Sequence, residues 1–537
     1  MNTIYCNGTV ITLNPSQPRA QAVAVEGGVI RAVGTDDEIF ALQAPDTRIV
    51  DLHGAFLYPG FTDNHMHTLI TAQLRDRLDL SPIRTYAELM DLLAAETQRI
   101  RSSGSKEWVL GVKYNQYDWA DRKTVPTRQE LDAVTGNVPC YLLRACEHVA
   151  LYNTRALEML GLMNEKPGTG LCMGFLPDGS PDGQLFEGDC GLAEALIPQP
   201  GPEEIRRWIA AETKIYASMG LTAIHSDDLV VENMEPLQVM DLFREAADAD
   251  EIAIRIYEQC RIEDASAIRA FTEAAPRGTS FGLFRTNSIK LILDGSLGAH
   301  SAYMLDGYRN DPDAQNIALF TDEQVNAMVQ AANEGGYPVV AHAIGDGAVE
   351  QILQAYEQHG QPGQRNSVNH CQIMRDGQLQ RMAEHNILAY TQPVFIGTDA
   401  PIIDDCVGEE IAASSYNWRR MIDLGIHVSG GTDCPVEVND PIANIYYAVT
   451  RDGGNGTPYR PENGMTMDEA LRAVSLEGAY AAGREQVNGT VEPGKYADFT
   501  ILDRDLFAID PFTIRDSRVM MTVVNDRIVY QREEAWN

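Results

Sequence analysis

Eight short apolar segments, each ending in polar residues and most of them separated by amphipathic stretches, constrain this chain more than any other feature. They are FLYPGFTDNHMH, PCYLLRA, LTAIHS, SIKLILDG, YPVVAHAIGD, NSVNHCQI, ILAYTQP and IHVSGGTD. Between them run helical patterns such as EEIRRWIAAETKIYASMG and DEQVNAMVQAANEGG, and strands alternating with such helices pair in parallel. The expected fold class is α/β, a (β/α)8 TIM barrel, in which chemistry gathers at the strand C-termini.

The two ends of the chain read differently. IYCNGTVITL, AQAVAVEGGVIRAVG and TRIVDLHGAFLYPG near the start, and ADFTILD, RVMMTVV and DRIVYQR near the end, are short β-branched runs broken by turn residues. They predict a small β-sandwich built from both termini, residues 1–57 and 486–537, around a barrel at 58–485. Intervals near 68–138 and 146–220 exceed what simple connections need, so extra helices and a lid are expected there.

Composition excludes several partners. A formal charge of −35 repels nucleic acid phosphates and anionic membranes, so neither is an expected partner, whereas a small-molecule substrate is. Nine dispersed cysteines do not form a secreted disulfide framework, and the N-terminus lacks a basic region followed by an apolar one. The expectation is a soluble cytoplasmic protein with reduced thiols, and a homodimer is the general expectation for such enzymes.

His65 and His67 stand two residues apart at a strand end, so both imidazoles face one side and can reach one ion. His342 follows YPVVA, His370 follows NSVN, and Asp433 closes SGGTD, which brings each to the barrel mouth. Nitrogen and oxygen donors converging there predict a divalent metal, Zn2+ by donor type, as one or two ions. Lys290 lies between Ile289 and Leu291, where an ammonium is costly unless paired or modified. It either pairs with Asp294 or another carboxylate, or becomes a carbamate whose oxygens bridge two metals.

In this order, PGFTDNHMH, the strand lysine with DGSLG, VVAHAIGD, VNHCQ and SGGTDCPVE resemble the amidohydrolase superfamily, and within it the YtcJ-like branch that includes N-substituted formamide deformylase. GTVEPGKYADFTILD resembles the return into the β-sandwich of these hydrolases. The resemblance implies that His65, His67 and Asp433 hold one metal and His342 and His370 a second, with carboxylated Lys290 bridging them. It implies hydrolysis of a non-peptide C–N bond by a metal-activated hydroxide, with Asp433 as proton shuttle and Lys290 and His370 as further catalytic residues. With a single metal on the HxH pair, His342 and Asp433, His370 is left as an acid or carbonyl polariser.

Two departures from the branch bear on the substrate. Arginines are common there soon after DGSLG and after HAIGD, whereas this chain has His300 and Gly347. Without two guanidinium forks the pocket is expected to suit a less anionic substrate. Glu147 and His148, His225 and His300 are further candidates for substrate contact, while Cys371 and Cys434 alternate away from the ligands as packing residues. The same site suits an ester or lactone, and a regulatory protein that has lost catalysis is the reading from another class.

Overall fold

The computed structural model describes residues 2–103, 107–145, 148–168, 170–314 and 316–533. These form two compact units, one of residues 1–70 and 205–537 and the other of residues 71–204.

The first unit is built on eight parallel strands: β1 Phe61–Met66, β2 Leu221–Ser226, β3 Arg255–Arg261, β4 Phe284–Ile292, β5 Val339–Ala343, β6 Ser367–His370, β7 Leu388–Thr391 and β8 Val428–Gly430. Each pairs in parallel with the next, so the order in space follows the order in sequence. Helices such as Pro236–Asp248, Asp322–Glu334 and Asp346–His359 bury one apolar face each, the last two starting at Thr321 and Gly345. Thr321 caps its helix through a reciprocal bond with Gln324, which satisfies backbone donors that the first turn leaves open.

The ring is nearly closed. Among the described residues β8 and β1 share no strand ladder, and the seam is fastened at its top by Asp433 N–H to His65 O and His67 N–H to Cys434 O, both 2.8 Å. Asp63 reinforces it, one oxygen accepting from the amides of His65 (3.1 Å) and Thr432 (3.0 Å) and the other from the Thr432 hydroxyl (2.6 Å). Below, Thr62 N–H donates to Val474 O at 2.7 Å, ahead of the helix Leu476–Ala481. A Cβ on Gly478 would lie 2.8 Å from Thr62, so glycine sets how closely this helix approaches β1.

The turn-rich ends form two small sheets, one from the N-terminal segment alone and one from both termini. One orders Val29–Gly34, Ala22–Glu26, Asn2–Cys6 and Arg48–Asp51; the other places Phe56–Pro59 between Thr9–Ile11 and Phe499–Leu502, with Val519–Val524 and Arg527–Gln531 beyond. Tyr5, Val23, Val25 and Val50 of one sheet share a core with Val10, Leu57, Phe499 and Val523 of the other, the packing of a sandwich. Arg255 at the base of β3 grips Asp498 of the sandwich with two bonds of 2.7 and 3.1 Å, and both side chains are nearly buried.

Residues 71–204 carry a six-stranded sheet of their own, with Leu89, Leu93, Trp119 and Leu142 in its core. The segment PCYLLRA, expected in the barrel, lies here as Cys140–Arg144, parallel to Val109–Tyr114 and antiparallel to Val149–Tyr152. The barrel's third strand is instead RIYEQCR. Its Glu258 and Gln259 are fully buried, which hides the strand from a reading based on apolar runs.

Candidate metal centre

β1 delivers His65 and His67 to the mouth on one side, with Met66 buried on the other. Their ring centroids lie 4.9 Å apart, and Nε2 of each stands 3.1 Å from the same oxygen, Asp433 Oδ1. His370 joins them: one ligand atom from each of His65, His370 and Asp433 falls within 4.8 Å of the others, and all three are buried. His370 Nδ1 is buried without a hydrogen-bond partner, an orphaned donor atom of the kind a cation satisfies. His370 and Asp433 both hold left-handed backbone, φ +80° and +57°, a strain that recurs at functional sites.

The electrostatics favour a cation. Burial pulls His65 down to about 3, with the Lys290 charge adding to the effect, and burial with neighbouring His342 takes His370 well below its usual range. Both imidazoles are therefore neutral and offer lone pairs. Burial alone would raise the Asp433 carboxyl, but its bonds to His65 and His67 hold it well below the usual carboxylate range. Lys290 is buried with Nζ 2.9 Å from His65 Nε2, and burial draws its amine down to about 8 against the pull of Asp227 and Asp433. Three imidazoles with a carboxylate fit a borderline divalent ion.

His342 sits beside this group with its ring centroid 4.4 Å from that of His370. Its Nε2 donates to Gly295 O (3.0 Å) and faces Asp294 (3.3 Å), which leaves Nδ1 as its remaining donor atom. Asp294 is thus engaged with His342 and with the amides of Ile344, Gly345 and Tyr303 rather than with Lys290.

The other sequence candidates are scattered. His300 bonds Asp311 at 3.0 Å and stacks on Tyr308, while a Cβ on Gly347 would meet Tyr303 at 2.8 Å, so an arginine at 347 has no room without moving that ring. His148 is exposed, 3.0 Å from Glu187 in the second unit, and Glu147 lies outside the described residues. Cys371 and Cys434 are buried. His225 is packed near Tyr257 and Tyr390, its Nε2 donating to Gly478 O at 3.2 Å.

Burial pulls His225 down to about 3. The unfolded chain takes up a proton below about pH 6.5 that the folded one refuses, so stability is lost as pH falls from 6.5 toward 3. The expected slope from this residue is about 1.4 kcal/mol per pH unit. Urea denaturation at a series of pH values checks it: His225→Gln should flatten the loss, and parallel slopes for variant and wild type would refute it.

Several residues around the site escaped the sequence reading. Gln259 lies 2.7 Å from His65 Nδ1, and Asp227 lies 3.8 Å from His67 Nδ1. Asp228 and Glu258 complete a buried acidic pair, Asp228 N–H donating to Glu258 at 2.9 Å, and burial with the Asp228 charge pushes Glu258 well above its usual range. The signal for Asp227 and Asp228 was present, since HSDD ends β2 as polar residues end the other strands.

The amidohydrolase family model matches residues 48–530. The chain is 28% identical to the putative amidohydrolase YtcJ of Bacillus subtilis (strain 168), over 99% of this chain and 100% of that protein. It is 27% identical to N-substituted formamide deformylase of Arthrobacter pascens, over 98% of each. Among solved structures, an uncharacterized metal-dependent hydrolase from Pyrococcus horikoshii OT3 shares the fold with a TM-score of 0.76 at 23% identity, covering 95% of this chain and 99% of that one.

Proposed function

The chain belongs to the amidohydrolase family, and from that premise we propose that it hydrolyses a non-peptide C–N bond of a small amide, N-substituted formamide or related compound. The observation that carries this reading is the shared oxygen: Asp433 Oδ1 lies 3.1 Å from Nε2 of both His65 and His67, with His370 alongside. His65, His67, His342, His370, Asp433 and Lys290 would hold the divalent metal, Zn2+ by donor type. Bound there, such an ion would polarise a carbonyl and lower the pKa of a water to about 7.

The protein's own groups supply the rest. Asp433, ionised at neutral pH, accepts a proton from the attacking water and returns it to the departing nitrogen. The C–N bond breaks and leaves a carboxylic acid and an amine. Lys290, lowered to about 8, is partly neutral near physiological pH, and only a neutral amine attacks CO2, losing its proton to form a carbamate. The compact trio of His65, His370 and Asp433 supports a one-ion arrangement in which His370 is a ligand, in place of the one-metal alternative that leaves it as an acid or carbonyl polariser.

Further support concerns substrate and setting. The arginine positions of the branch are filled by His300, tied to Asp311, and by Gly347 under Tyr303, which supports a neutral substrate. Neutral amides should exceed matched carboxylated amides in kcat/KM by at least about tenfold, as one lost charged hydrogen bond of 1.5–3 kcal/mol suggests; a preference for the carboxylate would sink the idea. None of the eight described cysteines is in a disulfide, which supports a reducing, cytoplasmic setting. Among the described residues no helix is long and apolar enough to cross a membrane.

The test is a screen of N-acyl and N-formyl amines, with esters and lactones included and metal content measured on the same preparation. Turnover of amides by protein carrying one or two ions is the expected result. Turnover of esters alone would overturn the C–N assignment.

A further inference from the structure

Gln259, near the C-terminal end of β3, is fully buried and makes two bonds that fix its orientation. Its Oε1 lies 2.7 Å from His65 Nδ1, and its Nε2 donates to Asn64 O at 3.1 Å. Asn64 O is a carbonyl and can only accept, so the amide nitrogen must face it. Rotating the amide by half a turn would set oxygen against oxygen there. Gln259 Oε1 is therefore the atom left for His65, and it requires a proton on Nδ1.

An imidazole that ligates a cation carries one ring proton. Once that proton is on Nδ1, Nε2 of His65 bears a lone pair. That lone pair faces Asp433 Oδ1 at 3.1 Å, an ionised acceptor, with Lys290 Nζ 2.9 Å away. Two acceptors at hydrogen-bond distance repel unless a positive charge or a donor lies between them. The alternative tautomer would relieve this by donating from Nε2 to Asp433, and it would then abandon Gln259.

We propose that Gln259 is a positioning residue that holds His65 in the Nδ1–H tautomer and keeps the Nε2–Asp433 pair preset for a divalent cation. This rests on the metal-centre reading above. Gln259 acts through His65, and among the described residues its Oε1 is the acceptor that faces Nδ1.

The experiment is competition for Zn2+ between the full-length protein and a chromophoric chelator, with the melting temperature of each metal-free form measured alongside. Gln259→Leu removes the acceptor at similar volume, and its affinity should fall roughly 10–100-fold, the usual effect of losing a partner of a ligating histidine. Its metal-free melting temperature should stay close to that of wild type. Gln259→Glu in its protonated form keeps an acceptor for Nδ1 and a donor for Asn64 O, so it should restore affinity to within several-fold. If Gln259→Leu does not fold, Gln259→Met makes the same comparison.

Equal affinity in wild type and Gln259→Leu would overturn the assignment, as would equal losses in the Leu and Glu variants, which would mark a packing effect. Wild-type protein that takes up no Zn2+ would overturn the metal-centre reading along with it, so the two failures are told apart.

Discussion

Asp433→Asn should retain no more than about one-thousandth of wild-type kcat/KM toward the best amide found by screening, within the usual 10²–10⁴-fold range for loss of an acid–base group. The substitution preserves volume and removes the charge. It strikes twice, because Oδ1 is the atom shared by His65 and His67 and the carboxylate is also the proton carrier. Without the anion, the neutral imidazoles of His65 and His370 lose the carboxylate that helps them hold a cation. Steady-state kinetics on Asp433→Asn reloaded with metal separates the contributions: full metal occupancy with activity still lost isolates the proton transfer, and activity within tenfold of wild type would refute the role.

The second large effect is expected from chelation. Removing the metal should bring activity to background, and Zn2+ should restore it. The metal-free protein should also unfold more readily, by about 4 kcal/mol if wild type is normally held at a thousand times its dissociation constant. Calorimetry with and without chelator measures this. A melting temperature that ignores the chelator, in protein shown to have lost its metal, would mean that the ion does not bind the folded state in preference to the unfolded one and would overturn the centre as a stabilising site.

Much of the architecture was legible because the barrel writes itself as a rhythm. Seven of the expected strands occupy the ring, and the turn-rich ends form the two small sheets. The exception is instructive. RIYEQCR fails the apolar test because two of its buried positions are the polar Glu258 and Gln259, and CYLLR passes it while serving another sheet. The pattern records burial in apolar surroundings, and a strand that buries polar groups for a site is invisible to it.

The candidate site divides along the same line. His65, His67, His370 and Asp433 could be named because they end strands whose apolar starts announced them. Their supporting residues could not. Gln259 and Asp63 act through hydrogen bonds to neighbours up to 369 positions away, and no local spacing encodes such bonds; Asp294 was named only as a partner for Lys290 and bonds elsewhere. His225 shows the reverse. Its place at the end of β2 suggested the mouth, but Gly478 O and the rings of Tyr257 and Tyr390 claim the side chain.

The missing ladder between β8 and β1 has a consequence for how this protein can change. The clasp across that gap is made from the main chain of His65, His67 and Asp433 and from the Asp63 carboxylate beside them. Chemistry and enclosure are written on the same few residues. Because the bonds from those three residues belong to the main chain, replacing their side chains would leave the clasp in place, and the barrel could stay shut long after its reaction had gone.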